Sequence, residues 1–110
     1  METSKHHRLP TSRGGSDRPE NITFVPEKQH RAYHYLFANM TPEELMKEFN
    51  DNYAHVDWNS LPYKTKEALN NLWGTMGIKE IVKDLNERWI DPNQTLRIVR
   101  KPFIILQWEE

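Results

Sequence analysis

The hydrophobic rhythm of this chain changes at Pro26. Before it, Asn21 to Pro26 (NITFVP) alternates with β-branched and aromatic residues, the period of two that a strand requires. After it, from Glu27 through His30, Tyr33, His34 and Phe37 to about Asn39, the repeat is helical. Proline has no amide hydrogen to continue a ladder, so Pro26 ends the strand. Upstream, residues 4–10 are enough for one brief strand. Thr11 to Glu20 (TSRGGSDRPE) is a loop by composition, with Gly14-Gly15 and Pro19 as breakers. The first 40 residues thus predict strand, loop, strand, helix.

The remainder reads as helical until near its end. Thr41-Pro42-Glu43-Glu44 combines an N-cap, a proline at the first helical position and the glutamate of a capping box. The helix it starts should run to about Asn52, burying Leu45, Met46 and Phe49. A turn-rich connection around Trp58 leads to a helix over Leu61–Trp73, stopped by Gly74. Met76 to Ile90 places Ile78, Ile81, Val82, Leu85 and Trp89 on one helical face. Asp91-Pro92-Asn93 is a turn, and Leu96–Val99 and Phe103–Trp108 are two short strands, with Pro102 breaking or bulging the region between them. The expected fold is α+β: an N-terminal ββα unit over residues 1–40, then a helical extension over 41–110 closed by a β-hairpin and packed with it as one compact body.

A chain of 110 residues can bury a modest core, and its 36% apolar and 28% charged content is ordinary for a globular domain. It has no cysteine, which removes disulfides, thiolate zinc sites and a thiol nucleophile, and leaves imidazole and carboxylate as the strong metal ligands. No stretch approaches the roughly 18 apolar residues of a membrane span. Met1 to Pro10 is polar with no signal-peptide core, so no membrane partner is expected and the expected location is cytoplasmic. The net charge of −1 alone argues against a nucleic-acid binder. Its distribution softens that: residues 1–36 hold six Lys/Arg against four Asp/Glu, and also four of the five histidines.

Those four histidines carry the chemistry. His30 and His34, four apart on a helix, project from one face and can share a metal ion. His6 and His7 are neighbours on a short strand, where adjacent side chains point to opposite sides, so one can complete the metal site while the other faces a substrate atom. Three neutral imidazoles leave a coordination position for water or phosphate. Taken alone, His30 and His34 read more readily as an ordinary surface or partly buried pair. His55 lies in a loop without a partner at ligand spacing and reads as surface. Trp58, Trp73, Trp89 and Trp108 read as packing for the C-terminal part rather than as base-stacking platforms. Tyr33 and Tyr35 flank His34, one to pack and one to sit near substrate.

The segment HHRLPTSRGGSDRPENITFVPEKQHRAYH resembles the HNH (ββα-metal) nuclease motif, especially the cysteine-free form of DNase colicins. It shares a histidine pair, a serine and glycine-pair loop, an asparagine heading a hydrophobic strand, and two helical histidines four residues apart. The resemblance covers Lys5 to about Phe37. It implies that His6, His30 and His34 are metal ligands and that His7 is the general base. It further implies that Asn21 hydrogen-bonds across the loop and holds His7 in place. Arg8, Arg13, Lys28 and Arg31 are candidate phosphate contacts on charge alone. The family commonly carries an upstream arginine that touches phosphate; five residues precede His6 here, so that contribution is expected to be missing or to come from elsewhere. No DNA-binding module is recognisable after residue 40.

The expectation is a small endonuclease that hydrolyses DNA phosphodiesters with one divalent metal ion, the choice among Zn, Ni, Mg and Mn left open, and yields a 3′-hydroxyl and a 5′-phosphate. The alternative is an inactive module with a structural metal that binds a protein or nucleic-acid partner, residues 41–110 offering the protein contact. A third reading is a nuclease subunit that needs a partner for DNA binding.

Overall fold

A computed structural model describes residues 2–53, 56–101 and 104–108, the side chains of Arg100, Lys101 and residues 104–108 excepted. The fold is mixed α+β. Strands β1 (Thr3–His7) and β2 (Ile22–Pro26) form an antiparallel hairpin, followed by helices α1 (Glu27–Phe37), α2 (Pro42–Asn52), α3 (Tyr63–Trp73) and α4 (Ile78–Asp84). From α4 the chain widens without a break into a π-helical turn, Leu85–Trp89, before β3 (Leu96–Lys101) and β4 (Ile104–Trp108) pair as a second antiparallel hairpin. Its register shifts between Ile98 and Lys101. The expectations for His55, Pro102 and Phe103 lie outside the described residues.

The first hairpin sets which histidine faces inward. His6 pairs with Thr23 and Ser4 with Val25, so these four share one face of the two-stranded sheet. Val25 and His6 are both buried there, while Lys5 and His7 belong to the other face. Helix α1 covers the inner face with Ala32, Tyr33, Leu36 and Phe37. Their core continues through Leu45 and Phe49 of α2, Ala68, Leu72 and Trp73 of α3, then Val82, Leu85, Trp89, Ile90 and Leu96. One apolar cluster therefore runs from the hairpin to β3.

Several helix ends differ from the expected ones. Helix α3 starts at Tyr63 rather than Leu61, because Leu61 closes the preceding 3-10 turn and Pro62 is the N-cap. Helix α1 stops at Phe37 rather than Asn39 because Ala38 takes a left-handed φ of 48°. The helical stretch from Met76 to Ile90 is shorter and not uniform: it starts at Ile78, and its last turn is π. Helix α2 carries the expected capping box, Thr41 accepting from the Glu44 amide and Glu44 from the Thr41 amide. Of the tryptophans, Trp73 and Trp89 are buried, but Trp58 is 49% exposed in the connection before α3. That corrects the packing role expected for it. Tyr33 is the flanking tyrosine that packs; Tyr35 is exposed. Among the described residues no helix is long and apolar enough to cross a membrane.

Candidate metal centre

The π turn is what fixes His6. A helix end leaves its last carbonyls without intrahelical donors, and here the first hairpin supplies them. The Thr23 hydroxyl donates to the Arg88 carbonyl at 2.7 Å, His6 Nε2–H to the Trp89 carbonyl at 2.7 Å, and Arg8 Nε to the Ile90 carbonyl at 2.8 Å. Arg8 also donates to the Asn86 carbonyl. Three successive carbonyls thus dock three side chains of the hairpin region.

His6 is 2% exposed, ringed edge-on by Tyr33 and Trp89, which stack on each other at 4.6 Å. Because a carbonyl can only accept, the Trp89 contact puts the proton on His6 Nε2 and a lone pair on Nδ1. That Nδ1 is buried with no hydrogen-bond partner. Burial is also the main reason the His6 pKa falls from 6.5 to about 4, opposed by the Trp89 bond and aided by the neighbouring histidines. His34 is fixed the same way from the other side: its Nδ1–H donates to the Ala38 carbonyl at 3.0 Å, leaving its Nε2 as a lone pair 2.9 Å from His30 Nε2. Desolvation, with His34 nearby, lowers the pKa of His30 as well, against the pull of Glu27.

One nitrogen from each of His6, His30 and His34 lies within 4.8 Å of the others. These residues fit a metal ion. A first-row ion held at about 2.0–2.1 Å by imidazoles keeps neighbouring donors roughly 3.3 Å apart. An unpartnered buried lone pair is what such an ion would satisfy. All-nitrogen donors favour zinc, nickel or other first-row ions over magnesium.

His7 lies on the rim of the same cleft, about 260 Å³ in volume and lined by Lys5, His6, His7, His30, His34 and Asn39 together with Pro10, Thr11 and Ser12. Its Nε2–H donates to Asp17 Oδ1 at 2.7 Å. Asn21, 6% exposed, knits the intervening loop: its Oδ1 accepts from the Leu9 amide at 2.8 Å, and its Nδ2 donates to the carbonyls of Leu9 at 3.0 Å and Ser16 at 2.7 Å. Gly15 has to be glycine, since a methyl group there would stand 1.8 Å from the Leu9 carbonyl oxygen.

The four cations expected at phosphate are not gathered at this cleft. Arg8 is committed to helix-end carbonyls, where the negative end of the helix dipole attracts a guanidinium. Arg13 pairs with Glu44 Oε1 at 2.8 Å. Lys28 and Arg31 line a groove of about 400 Å³ between α1 and α3, with Tyr35 and Lys64. Helical geometry contributes: at about 100° per residue, Lys28 lies about 140° and Arg31 about 80° round the helix from the mean direction of His30 and His34. Among the described residues that line the histidine cleft, Lys5 is the one Lys or Arg.

Sequence reasoning missed Asp17, Lys5 and the carbonyls of Ala38 and Trp89. A backbone carbonyl leaves no residue-type signature, and a loop aspartate is too common to single out. Comparison of the chain with protein-family models, curated proteins and solved structures gives no match.

Proposed function

We propose that the protein is a metal-dependent endonuclease of the HNH, ββα-metal type that hydrolyses DNA phosphodiesters, with His6, His30 and His34 holding one divalent ion. The observation that carries this reading is the buried, unpartnered Nδ1 of His6, on a ring grouped with two further imidazoles and beside a fourth histidine that lines the same cleft. When bound, the ion supplies positive charge that stabilises the developing negative charge on the phosphate and leaving oxygen. His7 takes a proton from water as its oxygen attacks phosphorus; the bond to the 3′-oxygen breaks and that oxygen takes a proton from solvent, giving a 3′-hydroxyl and a 5′-phosphate. Asn21 holds the loop against which His7 is set, and Lys5 offers the phosphate a counter-charge.

One observation favours a second reading, in which the module needs a partner to hold nucleic acid. Arg8 and Arg13 are spent within the fold, leaving the cleft with little positive charge.

Plasmid nicking by metal-stripped protein, titrated with Mg, Mn, Ni and Zn, tests both. Metal-dependent cleavage is expected, and His7→Ala should lower it by about 10²–10⁴-fold, the usual contribution of a general base. Metal binding without cleavage in any titration would reject the self-sufficient nuclease and leave the partner-dependent module or one whose metal is structural.

A further inference from the structure

We propose that Asp17 is a positioning residue for His7, its carboxylate accepting the Nε2–H so that Nδ1 is left as the ring's one lone pair. The inference rests on the reading of His7 as general base and extends it to a residue with no part in the resemblance on which that reading began. Three observations carry it. The contact is short and direct, 2.7 Å from His7 Nε2 to Asp17 Oδ1. An ionised carboxylate is acceptor-only, so it dictates which nitrogen carries the proton. And the loop that brings Asp17 there is built tightly: Asn21 ties both Leu9 and Ser16, the residue next to Asp17, while Gly15 lies against the Leu9 carbonyl.

The bland account is an exposed ion pair. Asp17 is 83% exposed on its side chain, and pairs of that kind contribute little to stability. The two accounts separate cleanly, because a positioning carboxylate acts on tautomer and turnover while leaving folding alone. Its carboxyl sits below the usual range because of the His7 bond first, with Lys5 adding to the pull. It is therefore ionised, and acceptor-only, at neutral pH.

The test uses ¹⁵N-labelled full-length protein, metal-stripped and metal-loaded, with long-range ¹H–¹⁵N spectra of the His7 ring in wild type and Asp17→Ala. Wild type should show a single Nε2–H tautomer and the variant a mixture of both, at unchanged melting temperature. In plasmid cleavage, Asp17→Ala should lose about 10- to 100-fold in kcat, the range typical when the partner that orients a histidine is removed, with KM held. A single Nε2–H tautomer persisting in Asp17→Ala, or a loss confined to KM, overturns the proposal. The spectra need no turnover, so they decide the Asp17 contact even if the nuclease reading itself fails for want of cleavage.

Discussion

His6 shows how one buried atom ties fold to chemistry. Its ring is neutral in the folded chain down to about pH 4 but charges near 6.5 when unfolded. Between those values the unfolded state binds more protons, so stability falls as pH is lowered through that window. Metal-stripped protein should lose of order 3 kcal/mol between pH 7 and pH 4 from this group, measurable as a shift in urea midpoint, and His6→Ala should flatten the dependence. The Asn21 loop makes a second residue-level prediction. Asn21→Ala strands the Leu9 amide and two carbonyls, and should cost about 1–3 kcal/mol in thermal or urea unfolding, with cleavage falling alongside. At this scale the sequence displayed the histidines and the asparagine through residue type and spacing. It did not display what holds them, because the Trp89 and Ala38 carbonyls could belong to any residue.

Among the elements, the helix ends are the most instructive. Helix α3 ends on Gly74 with φ 59° and ψ −124°; α1 ends on Ala38 with nearly the same angles, 48° and −131°. Glycine adopts that conformation freely and alanine does not. The end of α3 was therefore legible from its glycine, while the end of α1 was placed too late. Ala38→Gly should stabilise the protein by about 1 kcal/mol, read as a rise in Tm, while keeping the carbonyl that accepts from His34. Near the end of α4 lies a different lesson. Asp84 accepts from the indoles of Trp73 at 3.0 Å and Trp89 at 2.9 Å, and from Arg88 Nε at 2.6 Å. Truncating it to alanine leaves these donors unpaired and should cost about 2–4 kcal/mol on urea unfolding. The apolar stripe through Ile81, Val82, Leu85 and Trp89 was visible as a helical repeat. The π widening was not, because it depends on what the freed carbonyls meet in the hairpin.

Across the whole molecule, the candidate centre draws its ligands from the first 40 residues but leans on the apolar core beyond them. His6 packs against Trp89, ring centroids 5.0 Å apart, so a paramagnetic ion such as Ni or Mn held at the centre should quench tryptophan emission. Saturating the centre should also raise stability by about 2.7 kcal/mol at a hundredfold excess over Kd, seen as a concentration-dependent Tm. The α+β class and the order of its elements could be read from periodicity and breakers. The fate of the arginines could not, since charge alone does not distinguish a phosphate contact from a helix-end clamp. There is a temporal side to the bond between His6 and the carbonyl of Trp89, 83 positions later. While the ribosome is still extending the chain, His6 is made long before the carbonyl that braces it exists. A nascent chain therefore carries the candidate ligands without the brace on His6, which can form only after the segment around Trp89 has emerged and docked. The order imposed on His6 is in this way deferred until the residues around position 89 have been made.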